Sequence, residues 1–309
     1  MILCCGEALI DMIPQDLPFG NSGFLPVSGG SVFSTSIALG RLDVNAGLLT
    51  AISTDMFGDQ LMTSLAASNV STDLIIRSPQ PTTLAFVKLV NGQAQYAFFD
   101  EQSAERQLRA SDVPDLPDSV SALYFGGISL AREPAGDFYA ALAQRYQGQM
   151  PIMVDPNIRQ GFIQDEAAYR ARLKTMMGAA DIVKVSDEDL AWLIPDQPTD
   201  QDRVAALREM GPRLVVLTRG EEGASAWLSE GASVHVPARK MKVADTVGAG
   251  DTFNAGFLAS LQKQGAFSGS GLQTLTPEVA SKAMTYAAKA AGITVSRVGA
   301  NPPWAREVV

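Results

Sequence analysis

The stretch DTVGAGDTF, residues 245–253, places an acidic residue directly after Gly-Ala-Gly at the start of a helical pattern. Phe253, Phe257 and Leu261 then recur every four residues, which is the spacing of one apolar helix face. Unpaired N–H groups at a helix N-terminus favour an anion, and glycine lets a ligand approach them closely. The stretch therefore predicts an anion site, with Asp251 as an ionised carboxylate ready to accept a proton. The alternative is a helix cap preceded by a glycine turn.

Upstream of this stretch, short apolar runs alternate with helical patterns. The runs are continuous and rich in Val, Ile and Leu, which is typical of strands buried on both faces. We predict strands at residues 2–5, 47–52, 122–125, 151–154, 181–185 and 214–218. We predict helices at residues 32–42, 59–68, 134–146, 166–177 and 202–210. The alternation predicts one α/β domain, residues 1–309, with a mostly parallel sheet covered by helices on both faces.

Other segments interrupt this alternation. In TLAFVKLVNGQAQYAFF, residues 83–99, Asn-Gly separates two apolar runs, which predicts a β-hairpin. Residues 12–27 are extended and punctuated by Pro and Gly. We expect segments of about 12–27 and 83–100 to form a small sheet that acts as a lid, and a hairpin without a role in the site is the alternative. Residues 224–238 predict a further hairpin and residues 264–276 a surface loop.

Composition and absent motifs exclude several classes of protein. The net charge of −9 argues against non-specific binding to nucleic acid or to an anionic membrane, and no apolar run is long enough to span a bilayer. Cys4 and Cys5 are neighbours on one predicted strand, which argues against a disulfide and favours a cytoplasmic protein. The N-terminal run lacks the basic region of a signal peptide. The chain has no GxxxxGK[ST] loop, no GxGxxG after its first strand and a single histidine, His235, expected to be structural or exposed.

Several segments resemble, in order, the signatures of the ribokinase-like sugar kinases, the PfkB family. They are GEALIDMIP at 6–14, SGGSVFSTSIALGRL at 28–42, DPNIR at 155–159, VKVSDEDLAWL at 183–193, LTRGEEGA at 217–224, DTVGAGDTF at 245–253 and SRVGANP at 296–302. The segment 82–108 is similar to the fructokinase branch. The resemblance covers essentially the whole chain, and it implies a ribokinase-like three-layer sandwich with a small β-sheet lid.

The resemblance also implies roles in catalysis and sugar binding. Asp251 would take the proton of the sugar hydroxyl, and Gly248, Ala249 and Gly250 would form the anion hole for the γ-phosphoryl group. The residues that would bind the sugar, besides Asp251, are Asp11, Gly29, Gly30, Ser34, Phe98, Asn157 and Arg159. A carboxylate accepts from paired hydroxyls and an arginine donates to oxygen atoms, which suits this role.

Three of these residues also have a purely structural interpretation. Asp11 suits a turn, Gly30 suits the entry to a helix, and Arg159 suits a surface ion pair. Phe98 would line the pocket or pack within the lid sheet. The sequence also departs from the family pattern at Ser34, where asparagine is usual, which weakens the sugar contact expected there.

On the nucleotide side, the resemblance implies ATP contacts from a further set of residues. They are Lys184, Thr218, Gly220 and Gly223, together with Gly248, Ala249 and Gly250. Asp189 would hold Mg²⁺ through water, and Asp245 matches a monovalent-cation site, for K⁺, in part of the family. Here too the chain departs from the pattern, because Ser186 replaces asparagine and Asp189 replaces glutamate.

These features predict an ATP-dependent kinase that phosphorylates a sugar, with fructose as the leading candidate. Within the same family the alternatives are 2-keto-3-deoxygluconate, ribose or a nucleoside-type riboside. A non-catalytic sugar or nucleotide sensor is a more distant alternative, and a dinucleotide oxidoreductase lacks its glycine fingerprint. The expected partners are a small sugar, ATP and a second copy of the chain bound through the lid.

Overall fold

Strands and helices alternate along most of the computed structural model, which describes residues 1–16, 18, 21–90, 93–228 and 231–308. Strands β1 to β15 are Ile2–Cys5, Leu9–Asp16, Ser22–Gly29, Ala46–Leu49, Ala51–Ser53, Val70–Ser71, Ile76–Ser78, Leu84–Val90, Gln93–Phe99, Ala122–Gly126, Ile152–Asp155, Ile182–Ser186, Leu214–Thr218, Ala224–Trp227 and Ser233–Val236. Helices α1 to α9 are Ser31–Arg41, Met56–Ala67, Ala135–Tyr146, Glu166–Ala179, Asp187–Leu193, Asp200–Glu209, Ala249–Lys263, Gly269–Gln273 and Pro277–Val295.

The central sheet has the strand order β15-β14-β13-β12-β11-β10-β1-β4-β6. Neighbours from β13 to β6 pair in parallel, whereas β14 and β15 add an antiparallel edge. From β1 the chain first builds outward through β4 and β6, and it later returns to the other side of β1 with β10. Because the direction of winding changes between β1 and β10, a crevice opens at the carboxyl ends of these strands, where α/β sheets bind ligands.

Two apolar cores cover the two faces of the central sheet. Cys4 packs in one core with Tyr124 and with Phe257 of α7, and α1, α2 and α9 lie on this face. Cys5 packs in the other core with Phe125 and Phe138, on the face covered by α3 to α6. Both thiols are free and buried, as expected for neighbours on one strand. The predicted three-layer arrangement is confirmed.

A separate small sheet with the order β3-β2-β8-β9 stands beside the main one. The paired strands β8 and β9 confirm the predicted hairpin, although its Asn-Gly turn at 91–92 lies outside the described residues. Phe24, Phe86 and Phe99 lie on one face, where their rings meet edge to face with centroids 4.9 and 5.3 Å apart. Asp11 and Phe98 lie on the opposite face, which lines a cavity.

Two predictions about local structure are wrong. Residues 47–52 do not form one strand, because β4 ends in the central sheet while β5 pairs with β7, and the Thr50 carbonyl between them accepts from the N–H of Ile76 at 2.9 Å. Residues 264–276 are more ordered than a surface loop, since they contain α8, whose N-terminus is capped by Ser268 and whose Leu272 is buried.

Two expectations about composition also have an outcome in the structure. His235 lies on the exposed edge strand β15 with its ring Nδ1 at 3.1 Å from Ser225 Oγ, as expected for a histidine outside any catalytic site. Within the described ranges, no helix is long and apolar enough to cross a membrane.

Candidate active site

A cavity of about 320 Å³ opens at the carboxyl edge of the central sheet, beneath the small sheet. Its lining combines the ends of β1, β10, β11 and β12 with the N-termini of α1 and α7. The residues of the predicted site that line it are Asp11, Gly29, Gly30, Ser34, Phe98, Asn157, Arg159, Lys184, Gly248, Gly250 and Asp251. Segments far apart in the sequence thus meet in one place.

The floor of the cavity is the N-terminus of α7. Gly248 precedes the helix with φ 76°, and a Cβ atom there would lie 2.7 Å from the Cβ of Ala300. The N–H groups of Gly248, Gly250 and Asp251 have no acceptor within the described residues, whereas the N–H of Ala249 donates to the Thr246 carbonyl at 3.3 Å. The amides open to an anion are therefore those that flank Ala249 rather than that of Ala249 itself.

Asp251 is partly buried in the first turn of α7, and one of its carboxylate oxygens accepts from Ser31 Oγ at 2.7 Å. Burial raises the pKa of Asp251 to about 7, the Ser31 hydrogen bond opposes this rise, and the charge of Asp155 adds to it. The helix N-terminus alone predicted an ionised carboxylate, but removal from water outweighs that effect. A carboxyl group that titrates near neutral pH is suited to general-base catalysis.

Behind Asp251 lies a buried polar network that sequence reasoning missed. Lys184 Nζ lies 3.0 Å from Asp155 Oδ2, and Asn254 Nδ2 donates to the same oxygen at 2.7 Å and to the hydroxyl of Tyr124 at 3.0 Å. A Cβ atom on Gly250 would lie 3.6 Å from Lys184 Nζ, so the ammonium stands next to the start of α7. A polar residue within the apolar pattern of α7, Asn254, was the available signal in the sequence.

The end of the cavity next to β2 is rich in carboxyl groups. Asp11 on β2 lies over Gly29, where a Cβ atom would come within 2.1 Å of Asp11 Oδ2. Burial, and then the nearby charge of Glu7, raise the pKa of Asp11 to about 6. Arg159 is exposed at the rim and donates to the Ile158 carbonyl at 3.1 Å, without a carboxylate partner in the described part of the chain. Its charge is therefore open to a ligand.

Glu7 is a second residue that sequence reasoning did not single out. It is buried just after β1, and one carboxylate oxygen accepts from the N–H of Ser31 at 2.8 Å while the other accepts from Ser129 Oγ at 2.8 Å. Burial raises the pKa of Glu7. The side chain joins the start of α1 to the turn after β10, and an acidic residue directly after the first parallel strand was the signal for it.

The remaining predicted ATP contacts lie outside this cavity. Thr218 ends β13 and pairs in register with Ser186, and its hydroxyl donates to the Val185 carbonyl at 3.4 Å. Gly220 and Gly223 flank the turn that follows. These residues share the carboxyl edge of the sheet with the cavity but do not line it. Ser186 caps α5, since its hydroxyl oxygen accepts from the N–H of Asp189 at 3.0 Å.

The two predicted metal-associated carboxylates also stand apart from the cavity lining. Asp189 is buried and accepts from the N–H of Ile158 at 3.1 Å, and burial raises its pKa. Asp245 ties two loops together by accepting from the N–H groups of Val247 at 3.0 Å and Gly299 at 2.8 Å. Over the described ranges, no group of three His, Cys, Asp or Glu side chains could hold a metal.

Comparison with known proteins extends these observations to the whole chain. Residues 1–306 match the family described as pfkB family carbohydrate kinase. The chain is 51% identical over 263 residues to a fructokinase of Rhizobium leguminosarum bv. trifolii. The alignment covers 85% of this chain and 80% of that protein. It superposes on a fructokinase with bound ATP from Xylella fastidiosa with a TM-score of 0.90 and 28% identity, over 99% and 96% of the two chains.

A third likeness concerns the fold alone. The aminoimidazole riboside kinase of Salmonella enterica, complexed with aminoimidazole riboside and an ATP analogue, superposes with a TM-score of 0.84 at 21% identity. The match covers 99% of this chain and 98% of that one.

Proposed function

The chain belongs to the PfkB family of carbohydrate kinases, and we propose that it is a fructokinase, which transfers the γ-phosphoryl group of ATP to a primary hydroxyl of fructose. The observation that carries the proposal is the position of Asp251 in the cavity, beside the free amides that open α7. The identity of 51% to a fructokinase over most of the chain supports fructose as the acceptor.

In this proposal Asp251 accepts the proton of the attacking sugar hydroxyl. The N–H groups of Gly250 and Asp251 and the ammonium of Lys184 stabilise negative charge on the transferred group. Phosphoryl transfer depends mainly on such positioning and charge neutralisation. Asp155 holds the ammonium next to the start of α7, and Asn254 holds Asp155 by donating to the same carboxylate oxygen.

Sugar recognition is assigned to polar groups on both sides of the cavity. Asp11 accepts from sugar hydroxyls, Asn157 accepts from or donates to them, Arg159 donates from the rim, and Ser34 offers a single hydroxyl. Phe98 lies on the inner face of the lid sheet, where its ring meets that of Phe162 with centroids 4.6 Å apart, and it provides an apolar wall. The closely spaced carboxylates favour a neutral polyol over an anionic substrate.

The nucleotide and ion contacts follow from the family. Thr218, Gly220 and Gly223 would contact ATP along the sheet edge next to the cavity. Asp189 would hold Mg²⁺ through water, and Mg²⁺ when bound neutralises charge on the phosphates. Asp245 has both oxygens bonded to backbone amides, so a K⁺ ion there would be held chiefly by the surrounding carbonyl groups.

The small sheet is proposed as a lid and as a dimer interface. Its inner face covers the sugar end of the cavity, so closure over the substrates would exclude water from the γ-phosphoryl group. Its outer face carries Phe24 and Phe99, with 49% and 62% of their surface exposed, and a second copy of the chain would cover it. The buried free thiols support the cytoplasmic location expected from the sequence.

The test is ATP-dependent ADP release against fructose, glucose, ribose, 2-keto-3-deoxygluconate, adenosine and aminoimidazole riboside, with Mg²⁺ present. We expect fructose to give a kcat/KM at least about tenfold above every other acceptor, with ADP release without sugar close to background. A higher kcat/KM for another acceptor would retain the kinase and replace the substrate. Absence of turnover, together with absence of ATP binding, would contradict the proposed function and favour the sensor alternative.

A further inference from the structure

The hydroxyl group of Ser31 contacts the carboxyl group of Asp251 across the cavity. Ser31 is the first residue of α1, and its Oγ donates to Asp251 Oδ1 at 2.7 Å although the two residues are 220 positions apart in the sequence. The second carboxylate oxygen, Oδ2, receives no hydrogen bond from the described residues. Among the described residues, the structure thus distinguishes the two oxygens of Asp251: Oδ1 is bonded to Ser31, and Oδ2 accepts no hydrogen bond.

Ser31 is itself held in place by the element that precedes it. Its backbone N–H donates to Glu7 Oε1 at 2.8 Å, and the N–H of Phe33 donates to the Glu7 carbonyl at 3.2 Å. Glu7 is buried and is anchored in turn by Ser129. Because the backbone of Ser31 is fixed, its hydroxyl has a defined direction toward Asp251 and restricts rotation of the carboxyl group.

The charges around Asp251 make this contact important for its ionisation. Glu7 after β1 and Asp155 on β11 disfavour the carboxylate, Lys184 on β12 favours it, and the phenol of Tyr124 on β10 lies nearby. Burial raises the pKa of Asp251 most, and the Ser31 hydroxyl opposes that rise more strongly than the ammonium of Lys184 does. Without this hydroxyl the pKa of Asp251 would rise further, because less would oppose the effect of burial.

We propose that Ser31 is a positioning residue for phosphoryl transfer, holding Oδ1 of Asp251 so that Oδ2 faces the hydroxyl of the sugar. The inference rests on the proposed function, in which Asp251 is the base. The sugar proton moves to Oδ2 as the sugar oxygen bonds to the γ-phosphorus. The bond from that phosphorus to the β–γ bridging oxygen breaks, and ADP leaves with its electron pair. Ser31 keeps its own proton throughout.

The first test measures the pKa of the Asp251 carboxyl group in the free enzyme, independently of activity. Aspartate labelled at Cγ with ¹³C is titrated by NMR, and the Asp251 signal is identified by its loss in Asp251→Asn. We expect the pKa of Asp251 to rise by about half a unit or more in Ser31→Ala and to stay near the wild-type value in Ser31→Thr. Ser36→Ala is the matched control, since Ser36 is a buried hydroxyl on the same helix that donates to the Phe33 carbonyl at 2.7 Å.

The second test is steady-state kinetics with fructose as a function of pH. Ser31→Ala should lower kcat at least about sixfold at pH 7 and about threefold at pH 9, with the fructose KM within about twofold of wild type. Ser31→Thr should recover most of kcat, and Ser36→Ala should match the wild type. If the role of Ser31 were solely structural, its replacement by alanine would lower kcat equally at both pH values. The pH at which kcat falls on the acidic side of its profile would then not change.

Each result decides the inference. An unchanged pKa of Asp251 in Ser31→Ala would overturn the positioning role. A raised fructose KM, with the fall of kcat at acidic pH unchanged, would also overturn it and would assign the hydroxyl to sugar binding instead. If wild type is active and Asp251→Asn is not, such a result overturns the inference alone. A wild type inactive on fructose, or an active Asp251→Asn, overturns the proposed function and the inference together.

Discussion

The reaction proposed here depends on the ionisation of single side chains that the cavity withdraws from water. Asp251 and Asp11 both line the cavity, and burial raises the pKa of both, to about 7 and about 6. In the proposed reaction both must be ionised, since Asp251 would accept a proton and Asp11 would accept hydrogen bonds from sugar hydroxyls. The two groups therefore make the enzyme sensitive to mildly acidic solution.

The pH dependence of kcat/KM for fructose follows with a defined sign. A raised carboxyl pKa means that the inactive, protonated form persists to higher pH, so activity falls as pH falls. We expect a slope of about one below pH 7, steepening toward two below pH 6, when initial rates are measured between about pH 5 and 9. Asp11→Asn should retain the fall in kcat/KM that begins near pH 7 and lose the steeper slope below about pH 6. A profile that is flat down to pH 5 would show that neither group titrates as described.

Side chains within compact motifs could be assigned from the sequence, whereas contacts between distant motifs could not. Asp251, Asp11 and Arg159 belong to short signatures, and the structure brings all three to one cavity. The contact between Ser31 and Asp251 depends on how α1 docks beside α7, which no local pattern encodes. The same holds for the ammonium of Lys184, whose position is fixed by partners from other elements.

Among the helices and strands, the N-terminus of α7 is the element on which the site depends. Its open amides exist because Gly248 takes a left-handed conformation, φ 76°, and packs against Ala300 with no room for a side chain. The proposed anion site is thus built from backbone geometry as much as from side-chain chemistry.

Replacement of Gly248 by alanine tests this dependence. The left-handed conformation and the contact with Ala300 should lower the free energy of unfolding by about 1–3 kcal/mol, and the displaced amides should lower kcat at least about tenfold. Denaturant unfolding and fructose kinetics measure the two effects. Gly265→Ala is the matched control, because Gly265 also has a positive φ, 68°, but open space around it, and it lies at the other end of α7. Equal kinetics for both variants would contradict the role of Gly248.

The elements themselves were largely predictable because their apolar periodicity is strong. Continuous buried runs predicted the parallel strands, and the Asn-Gly pair predicted the hairpin of β8 and β9. The bend at Thr50 was missed because the apolar run continues through it, and α8 was missed because its composition is rich in glycine and serine. Strand breaks and short capped helices depend on tertiary hydrogen bonds rather than on periodicity.

At the scale of the whole molecule, the small sheet is proposed to serve both substrate enclosure and self-association. Asp11 and Phe98 on its inner face line the cavity, while Phe24 and Phe99 on its outer face are exposed. A second copy that covers the outer face would also order the strands that carry the sugar contacts. Association and catalysis would then be linked through one sheet.

A charge on the outer face should separate the two copies. Phe99→Asp is expected to convert a dimer to a monomer at micromolar concentration, measured by light scattering after size-exclusion chromatography. Met56→Asp is the matched control, since Met56 is 75% exposed at the start of α2 and is not part of the small sheet. A wild type that is monomeric, or a Phe99→Asp variant that remains dimeric, would contradict this interface.

The most direct test of the proposed chemistry compares kcat of the wild type with that of Asp251→Asn, with fructose and MgATP saturating and at a pH of about 8. Asparagine keeps the shape of the side chain but cannot take the proton, and general-base assistance contributes about 10²–10⁴-fold. We predict a loss of kcat of at least about 100-fold, with fructose affinity within about threefold of wild type. Near-normal turnover by Asp251→Asn would contradict the assignment of the base.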